Sequence, residues 1–291
     1  MPNRLLVSRS TGFMILRSSR ARVADNDGAI MSNQMIIESD ATWEIMGRAM
    51  AAALCRAPGF VSTAVPGAWR VTSNVNTWMA NWVVCYGVNT AARDVFMAGL
   101  DHVVADRRAS SIVVSDLARD QVTPAFSALP LATDGANRMF WRDARPLPSN
   151  PKIYAGHVTR VEPGTDLTAA LELVGEAFGE NPATACQVFA GALDHPAMSM
   201  VTATSDELDS VCITYTEANL THIYVLGTKP DRQRRGAGWA ALAHAMETAI
   251  RDGATGFCLM ASGAGEPLYQ ALGYEVCDQC AFWAIDSTAE S

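Results

Sequence analysis

The sequence predicts an α/β (α+β) protein in which strands and flanking helices are laid down twice in succession. Three observations predict it. Apolar β-type runs alternate with helix-period segments along the whole chain. A stiff stretch with Pro146, Pro148, Ser149, Asn150 and Pro151 interrupts that order near its middle. Short segments before the interruption are echoed, in the same order, after it.

Residues 41–56 form the first predicted helix. Asp40 is its expected N-cap, and Trp43, Met46, Met50 and Leu54 recur on one face. Residues 68–86 read as two strands around a turn and 91–107 as a helix. A short strand over 111–115, a short helix over 122–129 and a strand over 138–141 follow. Beyond the linker at 146–151 come a strand over 155–161, helices over 166–178 and 184–193, and strands over 198–203 and 211–216. The apolar run Ile223-Tyr224-Val225-Leu226 leads through a glycine-bearing turn into an Ala-rich helix over 240–250. A strand over 256–261, a helix after Pro267 and a last strand to about 285 complete the order. The echoes pair 111–115 with 256–261, 124–130 with 267–273, and 139–141 with 281–283.

The 291 residues suit two domains, and 49% apolar residues suffice for a packed core. A net charge of −8 argues against non-specific nucleic-acid binding. No apolar stretch approaches the roughly 20 residues a membrane helix needs. Seven cysteines, an odd number without a framework, and no secretory signal predict a reducing, cytoplasmic setting. Cys55, Cys85, Cys186, Cys212 and Cys258 read as small core residues. Cys277 and Cys280 have a metal-like spacing, but strand alternation would put them on opposite faces, so no metal is expected. The first 22 residues carry Arg4, Arg9, Arg17, Arg20 and Arg22 and no acid. A transit peptide has that character; the favoured reading is an upstream extension with Met31 or Met35 as the start. Residues 1–35 and the tail 287–291 are expected to lie outside the fold.

The turn from Leu226 to Trp239 carries the chemistry. Backbone N–H groups at a helix start lack intrahelical partners, and the helix dipole favours an anion there. Gly236 and Gly238 let a phosphate approach the backbone, and Arg232, Arg234 and Arg235 add positive charge. The Gly-Lys-Ser/Thr ending of a P-loop and the three-glycine dinucleotide pattern are both missing. The turn therefore reads as a pyrophosphate site of another kind.

Gln233, Gly236 and Gly238, with Pro230 before them, resemble the coenzyme A loop of the GCN5-related N-acetyltransferase (GNAT) family. Pro267-Leu268-Tyr269-Gln270-Ala271-Leu272-Gly273-Tyr274 resembles a second segment of that family at the right separation. The resemblance implies a GNAT-like mixed, mostly antiparallel, splayed sheet flanked by helices. It implies acetyl-CoA as co-substrate, an amine acceptor and no metal. The backbone of Leu226, Gly227 and Thr228 would hold the pantetheine arm, and Gln233, Arg234, Arg235, Gly236, Ala237, Gly238 and Trp239 the pyrophosphate. Tyr269 would meet the coenzyme sulfur as general acid, and the Leu226 N–H would serve the oxyanion. Ser262 falls where relatives touch the coenzyme, often through Asn. The general base stays open: His222 is one candidate, Glu180 beside Asn181 another, and the Ser291 terminal carboxylate a third.

The echoes add a tandem arrangement, with a degenerate GNAT-like unit at 36–145 and an acetyltransferase unit at 152–286. Residues 89–94 hold no Gly-x-Gly turn, so the first unit is expected to bind no coenzyme. It would cover sheet edges and shape one wall of the acceptor pocket. Trp43, Trp69, Trp78, Trp82, Trp141 and Trp283 read as core; Trp239 either covers the coenzyme or packs. The expected activity is direct acetyl transfer to an amine of a small molecule or peptide. A non-catalytic acyl-CoA sensor or assembly subunit and a nucleotide-binding protein are the alternatives. The acidic balance suits cationic acceptors such as polyamines, aminoglycosides or lysine side chains. Edge strands of such sheets often pair, as in a homodimer.

Overall fold

The computed structural model describes residues 33–106, 108–126, 132–150 and 152–285. The expectations for the arginine-rich first 22 residues, for 127–129 and for Ser291 lie outside the described residues. The first half comprises α1 (Asn33–Leu54), β1 (Val61–Val65), β2 (Ala68–Thr72), β3 (Trp82–Cys85), α2 (Thr90–Ala105), β4 (Ser110–Ser115), α3 (Asp116–Phe126) and β5 (Ala132–Asp143). The second comprises β6 (His157–Arg160), α4 (Thr168–Ala177), α5 (Pro182–Phe189), β7 (Met198–Thr204), β8 (Leu208–Glu217), β9 (Leu220–Thr228), α6 (Ala237–Arg251), β10 (Gly256–Ala261), α7 (Glu266–Ala271) and β11 (Glu275–Ile285).

All eleven strands form one sheet, in the order β1-β2-β3-β4-β11-β5-β10-β9-β8-β7-β6. Among the described residues only β3–β4 and β9–β10 are parallel. Apart from the extra edge strand β6, the order is symmetric about the β11–β5 pair, and the symmetry exchanges the echoed segments: β4 with β10, α3 with α7, β5 with β11. The last strand of each half has crossed over. β5 pairs along the whole of β10, from Gly256↔Asp143 to Ala261↔Arg138, and β11 pairs with β4 from Cys280↔Ser115 to Ile285↔Ser110. Each half thus completes the sheet of the other.

Helices cover both faces. On one, α1, α4 and α5 bury Trp43, Met46, Leu171, Val174 and Phe189 against Trp82, Val225 and Phe282. On the other, α6 and α7 bury Leu242, Met246, Tyr269 and Leu272 against Phe140, Phe257 and Leu259, while α2 and α3 bury Phe96, Leu100 and Val122 against Val83 and Ile112. Phe140 shows the effect of the crossover, since a strand of the first half supplies a fully buried ring to the core of the second.

Several expectations are corrected. Helix α1 begins at Asn33, inside the expected extension, so Asp40 is not its N-cap. The added turns carry Ser39, which is buried and donates to the Asp278 carboxylate at 2.8 Å beside the Trp43 indole, also at 2.8 Å. Strand β1 was not predicted because, as an edge strand, it buries little and shows no clean alternation. Cys277 and Cys280 share one core rather than opposite faces, because a bulge between Val276 and Asp278 breaks the alternation. Cys55 is exposed and Cys186 half-buried. Among the described residues no group of three or more His, Cys, Asp or Glu side chains could hold a metal, and no helix is long and apolar enough to cross a membrane.

Because neither half closes its own sheet, urea unfolding of the chain is expected to be a single transition, coincident by circular dichroism and tryptophan fluorescence. Phe140→Ala is expected to lower the stability of that one transition by about 3–5 kcal/mol. Two separate transitions, with only the first-half one shifted, would show that the halves fold independently.

Candidate active site

The parallel pair β9–β10 is joined only at Gly256↔Leu220, Phe257↔Thr221 and Cys258↔His222. Beyond it the strands part, and residues 223–228 of β9 have no partner on β10. The pairing of β9 with β8 shows why. Its register jumps between Ile213↔Val225 and Thr214↔Ile223, which leaves Tyr224 as the extra residue of a β-bulge. A bulge bends its strand and raises the local twist. It also puts Tyr224 and Val225 on the α1 face, with Ile223 and Leu226 on the α6 face. A cavity of about 450 Å³ fills the gap and draws walls from both faces.

On the α6 face the gap runs into the turn after β9. Residues Pro230–Arg232 make one 3-10 turn, Arg234 sits at φ 61° and Gly236 at φ 93°, and α6 begins at Ala237. Among the described residues, no acceptor meets the backbone N–H groups of residues 234 to 239, and no side chain caps α6. A Cβ on Gly236 would stand 3.1 Å from the Lys152 carbonyl, and one on Gly238 3.0 Å from Thr228 Oγ1. Ser210 fixes the end of β9, as its hydroxyl donates to the Gly227 carbonyl at 2.7 Å and lies 2.9 Å from the Thr228 hydroxyl. Six N–H groups at a helix start, with backbone exposed by glycine, constitute an anion nest.

The charges around the nest differ from the sequence reading. Arg232 does not face it. Its guanidinium is held by Asp206 at 3.1 and 3.2 Å and by Glu207, with Asp209 at 3.8 Å. Asp209 is buried and also accepts from the Tyr154 hydroxyl at 2.6 Å. Arg234 and Arg235 are exposed and make no ion pair among the described residues, and Lys152 donates to the Arg234 carbonyl. Gln233 is exposed too. Trp239 is buried at 7% exposure in the core under α6, so its indole packs and only its backbone is offered to a ligand.

Tyr269 reaches the cavity from α7. Its ring is wedged between Phe140 at 6.2 Å and Tyr274 at 5.8 Å. Burial raises its pKa well above the ordinary phenol value, so it stays a protonated donor. Ser262, exposed just past β10, also lines the space.

On the α1 face the walls come from both halves. Helix α1 contributes Met46 and Met50; Trp78 and Met79, in the turn before β3, join Trp82 of β3; β5 contributes Asn137. Phe178 and Phe189 close the space from beside α4 and α5, and Phe282 closes it from β11. Trp78 and Trp82 are therefore wall residues as well as core. Their rings are 6.1 Å apart, with Trp82 5.9 Å from Phe282 and Trp78 6.3 Å from Phe178. Sequence reasoning missed Asn137, Met46 and Met50 as site residues, because only the crossover and the lie of α1 bring them to the second half.

The base candidates fare unequally. His222 lines the cavity but is 2% exposed, with Nδ1 3.8 Å from Cys258 Sγ. Burial drives its pKa down to about 3, so the ring is neutral and weakly basic. Glu180 is not among the cavity residues, and Asn181 is the N-cap of α5, accepting from Ala183 N–H at 2.9 Å. Among the described residues no carboxylate lines the cavity.

The symmetry-related place in the first half is closed. Strand β3 is paired with β4 along its whole length, from Trp82↔Ser111 to Cys85↔Val114. The next two N–H groups, of Tyr86 and Gly87, bond back to the Gly67 carbonyl at 2.7 and 2.8 Å. Gly67 and Gly87 touch so closely that a Cβ on Gly87 would stand 2.6 Å from the Gly67 Cα. The start of α2 is capped by the Asn89 side chain, which accepts from Ala92 N–H at 2.8 Å.

Neither a protein-family profile nor a curated protein sequence matches this chain. Solved structures do. The chain is similar to a GCN5-related N-acetyltransferase from Kribbella flavida, at 17% identity and TM-score 0.58 over 83% of this chain and 95% of that one. It is similar to a GCN5-related N-acetyltransferase from Sphaerobacter thermophilus, at 16% identity and TM-score 0.52 over 75% and 80%. It is also similar to a tandem GNAT protein from the clavulanic acid biosynthesis pathway, at 12% identity and TM-score 0.53 over 92% and 98%. These likenesses establish the fold class, that of the GNAT proteins. Within that class the arrangement is the tandem one, two GNAT-like units sharing one sheet.

His222 supplies a pH signature. Its folded pKa is lowered to about 3 from an ordinary 6.5, so its contribution to stability is present above about pH 6.5 and lost as pH falls toward 3. Unfolding in that window is expected to take up about one proton more than in His222→Gln. Melting temperatures of the two proteins between pH about 7 and 4 check this, and parallel curves would show that His222 titrates normally.

Proposed function

We propose that the protein is an acetyl-CoA-dependent N-acetyltransferase that transfers acetyl directly to an amine within a ternary complex. One observation carries the reading: the β9–β10 gap leads without interruption into the six unpartnered N–H groups at the start of α6. An extended arm with amide groups fits the unpaired edge of β9 as an added strand does, and a pyrophosphate fits the nest. The GNAT fold agrees with this.

Bound acetyl-CoA supplies an activated thioester. The chain supplies placement. Gly227 and Thr228 steer the arm, with Ser210 fixing their geometry. The backbone from Arg234 to Trp239 takes the pyrophosphate, and the exposed Arg234 and Arg235 add charge-assisted bonds. Tyr269, held as a phenol, donates to the sulfur as it becomes a leaving thiolate. The Leu226 N–H takes the charge developing on the carbonyl oxygen, a role the unpaired edge of β9 supports. A second reading, acyl-CoA binding without turnover, is favoured because, among the described residues, the cavity has no carboxylate and its one imidazole, His222, is buried and weakly basic.

Calorimetry is expected to give one acetyl-CoA site per chain with micromolar affinity. Gly236→Glu, which sets a bulky anion in the nest at a positive φ, is expected to abolish it. Tyr269→Phe is expected to leave the affinity within about twofold and to lower kcat about 10–100-fold. Absence of binding by the wild type removes the proposal. Binding with no turnover of any amine selects the second reading.

A further inference from the structure

The acceptor side of the cavity points to a substrate class, resting on the acetyltransferase reading above. The expectation of cationic acceptors came from the overall acidity, and the acids are elsewhere. Three carboxylates on the surrounding elements are engaged, Asp278 by Ser39 and Trp43, Glu266 by Arg138 at 3.1 Å and Glu217 by Arg48, and Glu172, Glu176 and Glu180, on and just after α4, are not among the cavity residues. The titratable side chains that face the cavity are His222 and Tyr224 from β9 and Tyr269 from α7. Helix α1 presents methionines, the turn before β3 presents Trp78, β3 presents Trp82, and β5 presents one amide, Asn137. An ammonium entering such a space sheds its water for no counter-ion.

We infer that the acceptor is a weakly basic amine on a flat apolar body, an arylamine or arylhydrazine, which enters as its free base. The thioether and indole walls suit an aromatic ring, which takes the α1-face part of the cavity of about 450 Å³ while the thioester arm takes the gap between the strands. The missing base then has a physical explanation. A free-base nitrogen already carries the lone pair that forms the new C–N bond. The C–S bond breaks, and the proton the nitrogen sheds ends on the sulfur, so amine and thioester give amide and thiol with no proton left over. For a lysine-like amine only about one molecule in two thousand is neutral near pH 7. The cavity therefore discriminates by basicity as well as by shape.

The test uses the full chain with saturating acetyl-CoA and three acceptors, namely 2-naphthylamine, tryptamine and spermidine, with thiol release as the rate. Quenching of tryptophan fluorescence by 2-naphthylamine measures acceptor binding without turnover. The expected kcat/KM for 2-naphthylamine exceeds that for spermidine by about 100-fold or more and is flat across neutral pH. That for tryptamine rises about tenfold per pH unit. Trp78→Ala is expected to lose naphthylamine quenching while calorimetric acetyl-CoA affinity is kept. Asn137→Asp, which puts in the wall a carboxylate that can pair with the ammonium and take its proton, is expected to flatten the tryptamine profile and raise its neutral-pH rate about tenfold or more. Preference for spermidine, a pH-independent tryptamine rate in the wild type, or no naphthylamine quenching while acetyl-CoA binds would overturn the inference. Loss of acetyl-CoA binding with quenching intact would instead overturn the reading beneath it.

Discussion

Everything at the site depends on two parallel strands being held apart. A sheet interior normally zips, because unpaired backbone N–H and C=O groups are costly when buried. Here β9 and β10 part after three pairs, and each is secured from its far side. Strand β8 pairs along β9 and supplies the bulge at Tyr224. Strand β5, from the other half, pairs with all six residues of β10. The gap is thus clamped by two complete ladders, and the first half of the chain holds one jaw.

That clamp gives the degenerate half a purpose beyond bulk. Its own strand pair stays zipped, and Asn89 occupies the helix start that its counterpart leaves open. Having no ligand gap to keep, the half is free to supply wall. Helix α1, the turn before β3, and Asn137 on β5 all reach the cavity of the other half. With the end strands exchanged, the second half keeps the open strand gap and the first half supplies part of the cavity wall.

The sequence revealed these parts unequally. The strand–turn–helix run around Gly236 and the segment around Tyr269 were legible, because local backbone demands leave local marks: glycine at a positive φ, an apolar run before it, a helix after it. The tandem order was legible from echoes such as 139–141 against 281–283. The crossover of β5 and β11 was not, because pairing partners of antiparallel strands leave no trace in a single sequence. With the crossover went Asn137, Met46 and Met50. The bulges at Tyr224 and Cys277 were equally silent, and the second of them overturned the strict alternation assumed for Cys277 and Cys280. Arg232 misled in another way: a loop arginine beside a phosphate turn looks like a ligand until the Asp206, Glu207 and Asp209 cage is seen.

The cage bears on how a chain of net charge −8 keeps its acids clear of the free N–H groups at the start of α6. Three acids hold Arg232, one of them, Asp209, itself accepting from the Tyr154 hydroxyl, and through Arg232 they hold the 3-10 turn that precedes the free N–H groups. Those acids are spent on a cation of their own rather than projected over the nest. Lys229 is drawn into the same network by Glu207 at 2.8 Å. What remains facing solvent beside the turn is Arg234 and Arg235, together with a helix start whose partial positive charge has no internal partner. These acids therefore frame the turn after β9 instead of crowding the free N–H groups that follow it. The cavity is likewise without a carboxylate among the described residues, so charge organises one end of the gap and apolar surface the other.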